Sequence, residues 1–171
     1  MIRVGVFIII TAFLLVFTLR RRHGHRFYRF FAFESLLGIV LMNAPDWFRE
    51  PYSPTHLVSW GFLACSLLLA IHGFTLLKRM GAPEGDFEST TRLITAGAYR
   101  YIRHPLYCTL LLGGVGAFLK RPTWVGLWIL GILAGFLYAT ARIEERGNVE
   151  RFGESYREYM KRTKMFIPYL V

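Results

Sequence analysis

The chain has 171 residues, 54% of them hydrophobic and 16% aromatic, with a mean hydropathy of +0.36 and a formal net charge of +10. That apolar content exceeds what a water-soluble domain carries, so a soluble enzyme or carrier is excluded. The basic surplus belongs to membrane topology and attraction to anionic lipid; no basic, aromatic-interleaved soluble segment exists to make this a nucleic-acid binder.

In chain order, the first uncharged apolar run is Ile2 to Leu19. It ends in Arg20, Arg21 and Arg22 instead of the small residues of a cleavage site, which predicts a retained membrane helix rather than a secretory leader. Phe27 to Ala44 comes next, apolar except for Arg29 and Glu34. Thr55 to Leu77 and Thr123 to Ile143 are clean runs long enough to cross about 30 Å of hydrocarbon. Between them, Pro105 to Leu119 is shorter and is closed by Lys120, Arg121 and Pro122. The pattern predicts an all-α polytopic membrane protein with about five transmembrane helices, the last two joined by a tight turn into a helical hairpin, and a cytoplasmic helical segment at the C-terminus.

Basic residues orient these spans. Of the 21 Lys and Arg, 17 fall on one side, including Arg20, Arg26, Lys78, Arg79, Arg100, Arg103 and seven from Arg142 to Lys164. Only Arg3, Arg49, Lys120 and Arg121 fall on the other. The positive-inside rule then predicts an external N-terminus and a cytoplasmic C-terminus. Cys65 and Cys108 lie inside spans without a CxxC neighbourhood and are expected to be free, buried thiols. His23 and His25 read as interfacial residues, not metal ligands, and no metal site is expected. His72, inside the third span, reads as a hydrogen-bonded helix contact.

Chemistry should concentrate at the cytoplasmic face, where the loop from Met80 to Gly97 and the segment after Ile143 meet the membrane. There, Arg100 to Gly113 reads RYIRHPLYCTLLLG, a polar cluster set against an apolar run. Pro105 suits the first turn of a helix, where its missing N–H is not needed. The unpaired N–H groups of that turn and the Arg103 guanidinium would seat a carboxylate or phosphate. Tyr107 lies on the same side of the helix as His104 and offers a ring and a hydroxyl. Arg, His and Tyr are also common as plain interfacial anchors. What distinguishes this cluster is Glu144 and Glu145, a pair of acids where the fifth span ends on a basic face. One would neutralise Arg103 or a neighbour; the other would bind an ammonium. A site for carboxylate, ammonium and ring together suits an amino-acid-bearing nucleotide such as S-adenosylmethionine.

The segments LITAGAYRYIRHPLY (Leu93 to Tyr107), IEER (Ile143 to Arg146) and RFGESYREYMKRTKMFIP (Arg151 to Pro168) resemble, in order and spacing, the isoprenylcysteine carboxyl methyltransferase and phospholipid methyltransferase superfamily of integral membrane enzymes. The resemblance covers about the last 80 residues. It departs from the pattern at Thr109, where many relatives have Gly, and at Asn148, where Leu is usual. It implies a methyltransferase core over residues 81–171, a possible acceptor-side region in the three helices of residues 1–80, and S-adenosylmethionine as cofactor under a C-terminal cover. Gly97, Tyr99, Arg103, His104, Pro105, Tyr107 and Glu145 would bind the cofactor. Arg103 and Glu144 would be catalytic, Arg103 beside an anionic acceptor or Glu144 as base for an amine or hydroxyl. Glu34 is a further candidate, for contact with the acceptor or for pairing with Arg29. Gly126, Gly131 and Gly135 would let the last two helices pack closely. The acceptor is expected to be amphiphilic, a prenylcysteine carboxylate or lipid-like molecule arriving from the bilayer, and no obligate protein partner is inferred. Two other classes fit less well: an NADPH-dependent membrane reductase of the sterol reductase type, and a non-enzymatic membrane interaction protein.

Overall fold

The computed structural model describes residues 2–20, 26–81 and 91–168. Among the described residues six α-helices succeed one another: α1 (Ile2–Arg20), α2 (Arg26–Asn43), α3 (Pro54–Met80), α4 (Pro105–Phe118), α5 (Trp124–Phe152) and α6 (Glu154–Arg162). Short 3-10 turns occupy Ala44–Asp46 and Gly97–Arg100. Among the described residues the one β-type pairing is an isolated parallel bridge between Ile102 and Lys164. Arg21, Arg22, His23, His25 and most of the loop between Met80 and Gly97 lie outside the described residues.

Among the described residues three helices are long and apolar enough to cross a bilayer: Arg26–Asp46, Pro54–Met80 and Trp124–Phe152. Two shorter apolar helices, Ile2–Val16 and Pro105–Phe118, accompany them. The chain is a membrane protein, and its exposed apolar side chains, among them Leu67, Leu68, Ile71, Trp124 and Trp128, suit lipid contact.

Local signals set the helix ends. Pro54 and Pro105 open α3 and α4 at positions where a backbone N–H is not used. Thr123 caps α5, its hydroxyl accepting from the Gly126 N–H at 3.1 Å. The same helix does not stop at Ile143. No proline interrupts residues 144–152, so α5 runs on to Phe152 and ends at Gly153, whose φ of +59° an L side chain rarely adopts. Glu144 and Glu145 therefore project from a rigid helix, not from its frayed end.

The largest core joins Ala32 and Ile39 of α2, Ala117 of α4 and Leu133 and Leu137 of α5. Helix α3 packs mainly on α4, and α2 mainly on α5. The close approach of α4 and α5 owes most to α4. A Cβ at Gly114 would lie 2.6 Å from a Leu133 methyl, and one at Gly116 would lie 2.8 Å from Leu63 of α3. Gly131, Gly135 and Gly147 face open space, so of the four α5 glycines only Gly126 makes a tight contact, with Phe118. The cysteines also differ from expectation: Cys65 is exposed on α3 and Cys108 half-buried, both as free thiols.

Carbonyls at the end of α4 and just beyond it are met by side chains from neighbouring helices. Ser59 Oγ donates to Gly116 O at 2.7 Å, Asn43 Nδ2 donates to Ala117 O at 2.9 Å, and His56 Nε2 lies 2.9 Å from Lys120 O. Helix-end carbonyls lack intrahelical partners, and water cannot serve them readily at membrane depth.

Candidate active site

The opposite end of α4 gathers the charged residues. The approach is the turn Gly97–Arg100, where Gly97 has φ +57° and a Cβ would come within 2.6 Å of His72 Nε2 and of Leu76. His72 Nε2 accepts the Ala98 N–H at 3.3 Å, so this histidine is a helix contact that holds the turn to α3. Leu77, Ile94 and Tyr99 form a small core beneath it, with Leu76 and Leu106 alongside.

Arg103 and His104 precede α4, and Pro105, fully buried, begins it. Arg103 Nε donates to Glu145 Oε1 at 2.5 Å. Its Nη1 donates to Thr163 O at 2.5 Å and to Met160 O at 3.4 Å. One guanidinium thus ties α4, α5 and the C-terminal segment together. The backbone repeats the connection: Arg103 N donates to Lys164 O at 2.8 Å, His104 N to Met165 O at 3.1 Å, and Lys164 N to Tyr101 O at 3.1 Å. The anion seat expected at the start of α4 is consequently filled in large part by the chain's own carbonyls.

His104 lies between the two acids. Its Nδ1 is 3.6 Å from Glu144 Oε2 and its Nε2 is 3.6 Å from Glu145 Oε1. The imidazole stacks on Tyr107, with centroids 5.5 Å apart and 13° between planes, and it also faces Phe166. Tyr107 donates its hydroxyl to Glu144 Oε1. Arg29 Nη1 of α2 is 4.0 Å from that same oxygen. The two acids differ in access: the Glu145 side chain is 4% exposed and the Glu144 side chain 23%. Glu145 is the acid that neutralises Arg103, while Glu144 faces α2.

The C-terminal segment closes over this cluster. Helix α6 is amphipathic, with Tyr156 and Tyr159 buried and Glu154, Arg157 and Lys161 outward. Tyr159 donates to Tyr99 O at 2.6 Å, and Asn148 Nδ2 donates to the Tyr156 hydroxyl at 3.4 Å. Burial pushes the Tyr156 phenol up to about 12, and it also raises those of Tyr99 and Tyr159. All three therefore stay neutral donors at physiological pH.

The structure brings together Tyr99, Arg103, His104, Pro105, Tyr107, Glu144 and Glu145, with Gly97 shaping the adjoining turn. Glu34 stands elsewhere, accepting from Thr11 Oγ1 of α1 at 2.8 Å. Sequence reasoning missed the placing of Arg29 against Glu144, although a charge inside an apolar run was the signal for it. It also missed the carbonyls of residues 160–165, for which side-chain identity carries no signal.

A family model described as phospholipid methyltransferase matches residues 54–155, which include both acids and the whole of α4. The chain is 31% identical over 87 residues to methanethiol S-methyltransferase 1 of Bradyrhizobium diazoefficiens, covering 50% of this chain and 29% of that protein. It is 27% identical over 143 residues to methanethiol S-methyltransferase of Pseudomonas deceptionensis, covering 80% and 48%. It is 35% identical over 136 residues to the cobalt-zinc-cadmium resistance protein CzcN of Cupriavidus metallidurans, covering 79% and 59%. The matches thus span less than two thirds of the length of each of these relatives.

Proposed function

The chain belongs to the phospholipid methyltransferase family, and from that premise we propose that it transfers a methyl group from S-adenosylmethionine to an amphiphilic acceptor at a cytoplasmic site. The observation that carries this reading is the convergence of Arg103, His104, Tyr107, Glu144 and Glu145 from α4 and α5 under the C-terminal segment. A sulfonium supplies a methyl group already activated for displacement, so the protein's work is alignment more than acid–base chemistry.

The residues suit such a donor. His104 is buried, and among the described residues its Nε2 makes no hydrogen bond, the nearest carboxylate oxygen, Glu145 Oε1, standing 3.6 Å away, which leaves a polar atom inside the cluster for a ligand. Glu145 and Glu144 offer carboxylates for an ammonium, and Tyr107 and Phe166 offer ring faces beside His104. Gly97 and Tyr99 would line the cofactor side. Arg103 holds the C-terminal cover in place and keeps Glu145 compensated. Glu144, more open and turned toward α2, would serve the acceptor side, as a base where the acceptor carries a proton. The acceptor would enter from the bilayer with its apolar tail in lipid. The methanethiol enzymes among the relatives point to sulfur as one acceptor atom. The five-span topology, the external N-terminus and the cytoplasmic C-terminus belong to the same proposal; a C-terminal reporter and an N-terminal tag should label opposite sides of the membrane.

Calorimetry of the purified protein with S-adenosylhomocysteine, and separately with NADPH, tests the reading. Binding of the first alone is expected. Binding of NADPH alone would put a reductase in its place, and binding of neither would leave a non-enzymatic membrane protein.

A further inference from the structure

Buried polar atoms nearly always find a hydrogen-bond partner, so a place where several do not is incomplete. Seven buried side-chain N and O atoms make no hydrogen bond among the described residues, and five of them lie around the end of α4: Asn43 Oδ1, Asp46 Oδ2, Trp47 Nε1, His56 Nδ1 and Lys120 Nζ. The 14 residues of α4, rising about 1.5 Å each, set this end roughly 20 Å from Arg103 and His104.

Lys120 is the residue least accounted for. It is 3% exposed, and its ammonium lies over the Trp60 ring, 3.4 Å from the centroid and 6.0 Å from that of Trp47. The two indoles meet edge to face with centroids 6.2 Å apart. A cation–π contact offsets part of the cost of desolvating an ammonium, but it supplies no acceptor for the three N–H groups. The Trp47 indole N–H is a second buried donor in want of an acceptor.

Charge and depth identify what is missing. Asp46 is turned to the exposed guanidinium groups of Arg49 and Arg121, 3.7 Å from each. Three cations, Arg49, Lys120 and Arg121, against Asp46 and the exposed Glu50 leave the cluster net positive. These are three of the four basic residues that lie apart from the chain's basic face, so the segregation of charge does not account for them. All four tryptophans of the chain, Trp47, Trp60, Trp124 and Trp128, gather at this same end. Tryptophan collects at the depth of lipid headgroups, where the abundant anion is a lipid phosphate and lysine stems reach toward it.

We infer that the end of α4 is a second binding site, for the phosphodiester of a membrane-lipid headgroup, which accepts from Lys120 Nζ and Trp47 Nε1. The flexible four-carbon stem of Lys120 lets its ammonium tilt from the Trp60 face toward the phosphate without moving a helix. This lipid is a bound ligand and not a methyl acceptor, since the length of α4 separates it from the charged cluster. The site goes beyond the methyltransferase reading and does not depend on it.

The test uses the full chain in mild detergent, stripped of lipid, and follows thermal unfolding as three probes are titrated: dioctanoylphosphatidylglycerol, dioctanoylglycerol and inorganic phosphate. The phospholipid should raise the midpoint saturably, at concentrations at least about tenfold below either of the others, the scale of one charge-assisted hydrogen bond. Lys120→Met should weaken the apparent affinity for it about tenfold or more, and Trp47→Phe, which keeps a ring and loses the N–H, about two- to tenfold. Affinity for S-adenosylhomocysteine should be unchanged in both variants. Equal protection by dioctanoylglycerol overturns the role of the phosphate, and equal protection by inorganic phosphate overturns the lipid as its source. An unchanged phospholipid response in Lys120→Met overturns the site, and where that variant fails to fold, an unchanged response in Trp47→Phe does so.

Discussion

Helix α4 has a polar cluster at each end, and the two are built on opposite principles. At its start, full charges oppose one another: Arg103 on Glu145, Arg29 near Glu144, and His104 between the acids. At its end, neutral side chains cap carbonyls. Asn43 and Ser59 meet the last turn and His56 the carbonyl of Lys120 just beyond it; the Lys120 ammonium sits 3.4 Å from the Trp60 ring centroid and 6.0 Å from that of Trp47, and the ion pairs of Asp46 with Arg49 and Arg121, whose guanidinium groups are exposed, lie at the rim. Lys120 is buried, and burial lowers the pKa of its ammonium. A capped helix end needs only donors for its carbonyls. Opposed buried charges cost desolvation energy, and their retention beside a family motif marks a place where ligand charge is handled.

Matched substitutions break this comparison most directly. Arg103→Met should cost about 3–5 kcal/mol of stability, since it strands a buried carboxylate and releases the carbonyls of Met160 and Thr163. Denaturant titration in detergent measures it, and faster proteolysis after Phe152 should report the freed C-terminal segment.

Within the same cluster, Glu145→Gln keeps the shape and removes the charge. Its expected effect is ~1.5–3 kcal/mol weaker binding of S-adenosylhomocysteine, the range for a charge-assisted hydrogen bond. Unaltered affinity in a well-folded variant would take Glu145 out of the cofactor site.

At the far end, Asn43→Leu removes the side-chain donor from the Ala117 carbonyl, which keeps the Lys120 N–H at 3.3 Å, and should cost about 0.5–1.5 kcal/mol in stability. The protein that remains folded should bind cofactor as before. A change in affinity there would couple the two ends of α4 and weaken the contrast between them.

The smallest effect belongs to Lys120→Met. It removes a cation–π contact worth about 0.5–2 kcal/mol but also removes a desolvated ammonium. The two terms oppose each other, so stability should change by no more than about 1 kcal/mol, in contrast to Arg103→Met.

Much of this was legible in the sequence. The apolar runs located α1 to α5 to within a few residues at every boundary except the end of α5, because the bilayer sets how long an uncharged stretch must be. The RHPLY and EE elements named most of the cluster, since few side chains can hold ammonium and carboxylate groups near lipid. Other features were not legible. The extension of α5 to Phe152 depends on an absence of breakers, which hydropathy does not weigh. The closing of the α4 start by carbonyls of residues 163–165 carries no residue signature.

The sequence by itself determined that the chain lives in a membrane, where its helices begin, and which residue types form its charged cluster; all three arise from local composition and spacing. Only the tertiary structure decided how the charges are shared. Glu144 and Glu145 are neighbours in sequence, yet successive residues on a helix point about 100° apart. One therefore turns inward to Arg103 under the C-terminal cover, and the other turns toward Arg29 of a helix more than a hundred residues earlier in the chain.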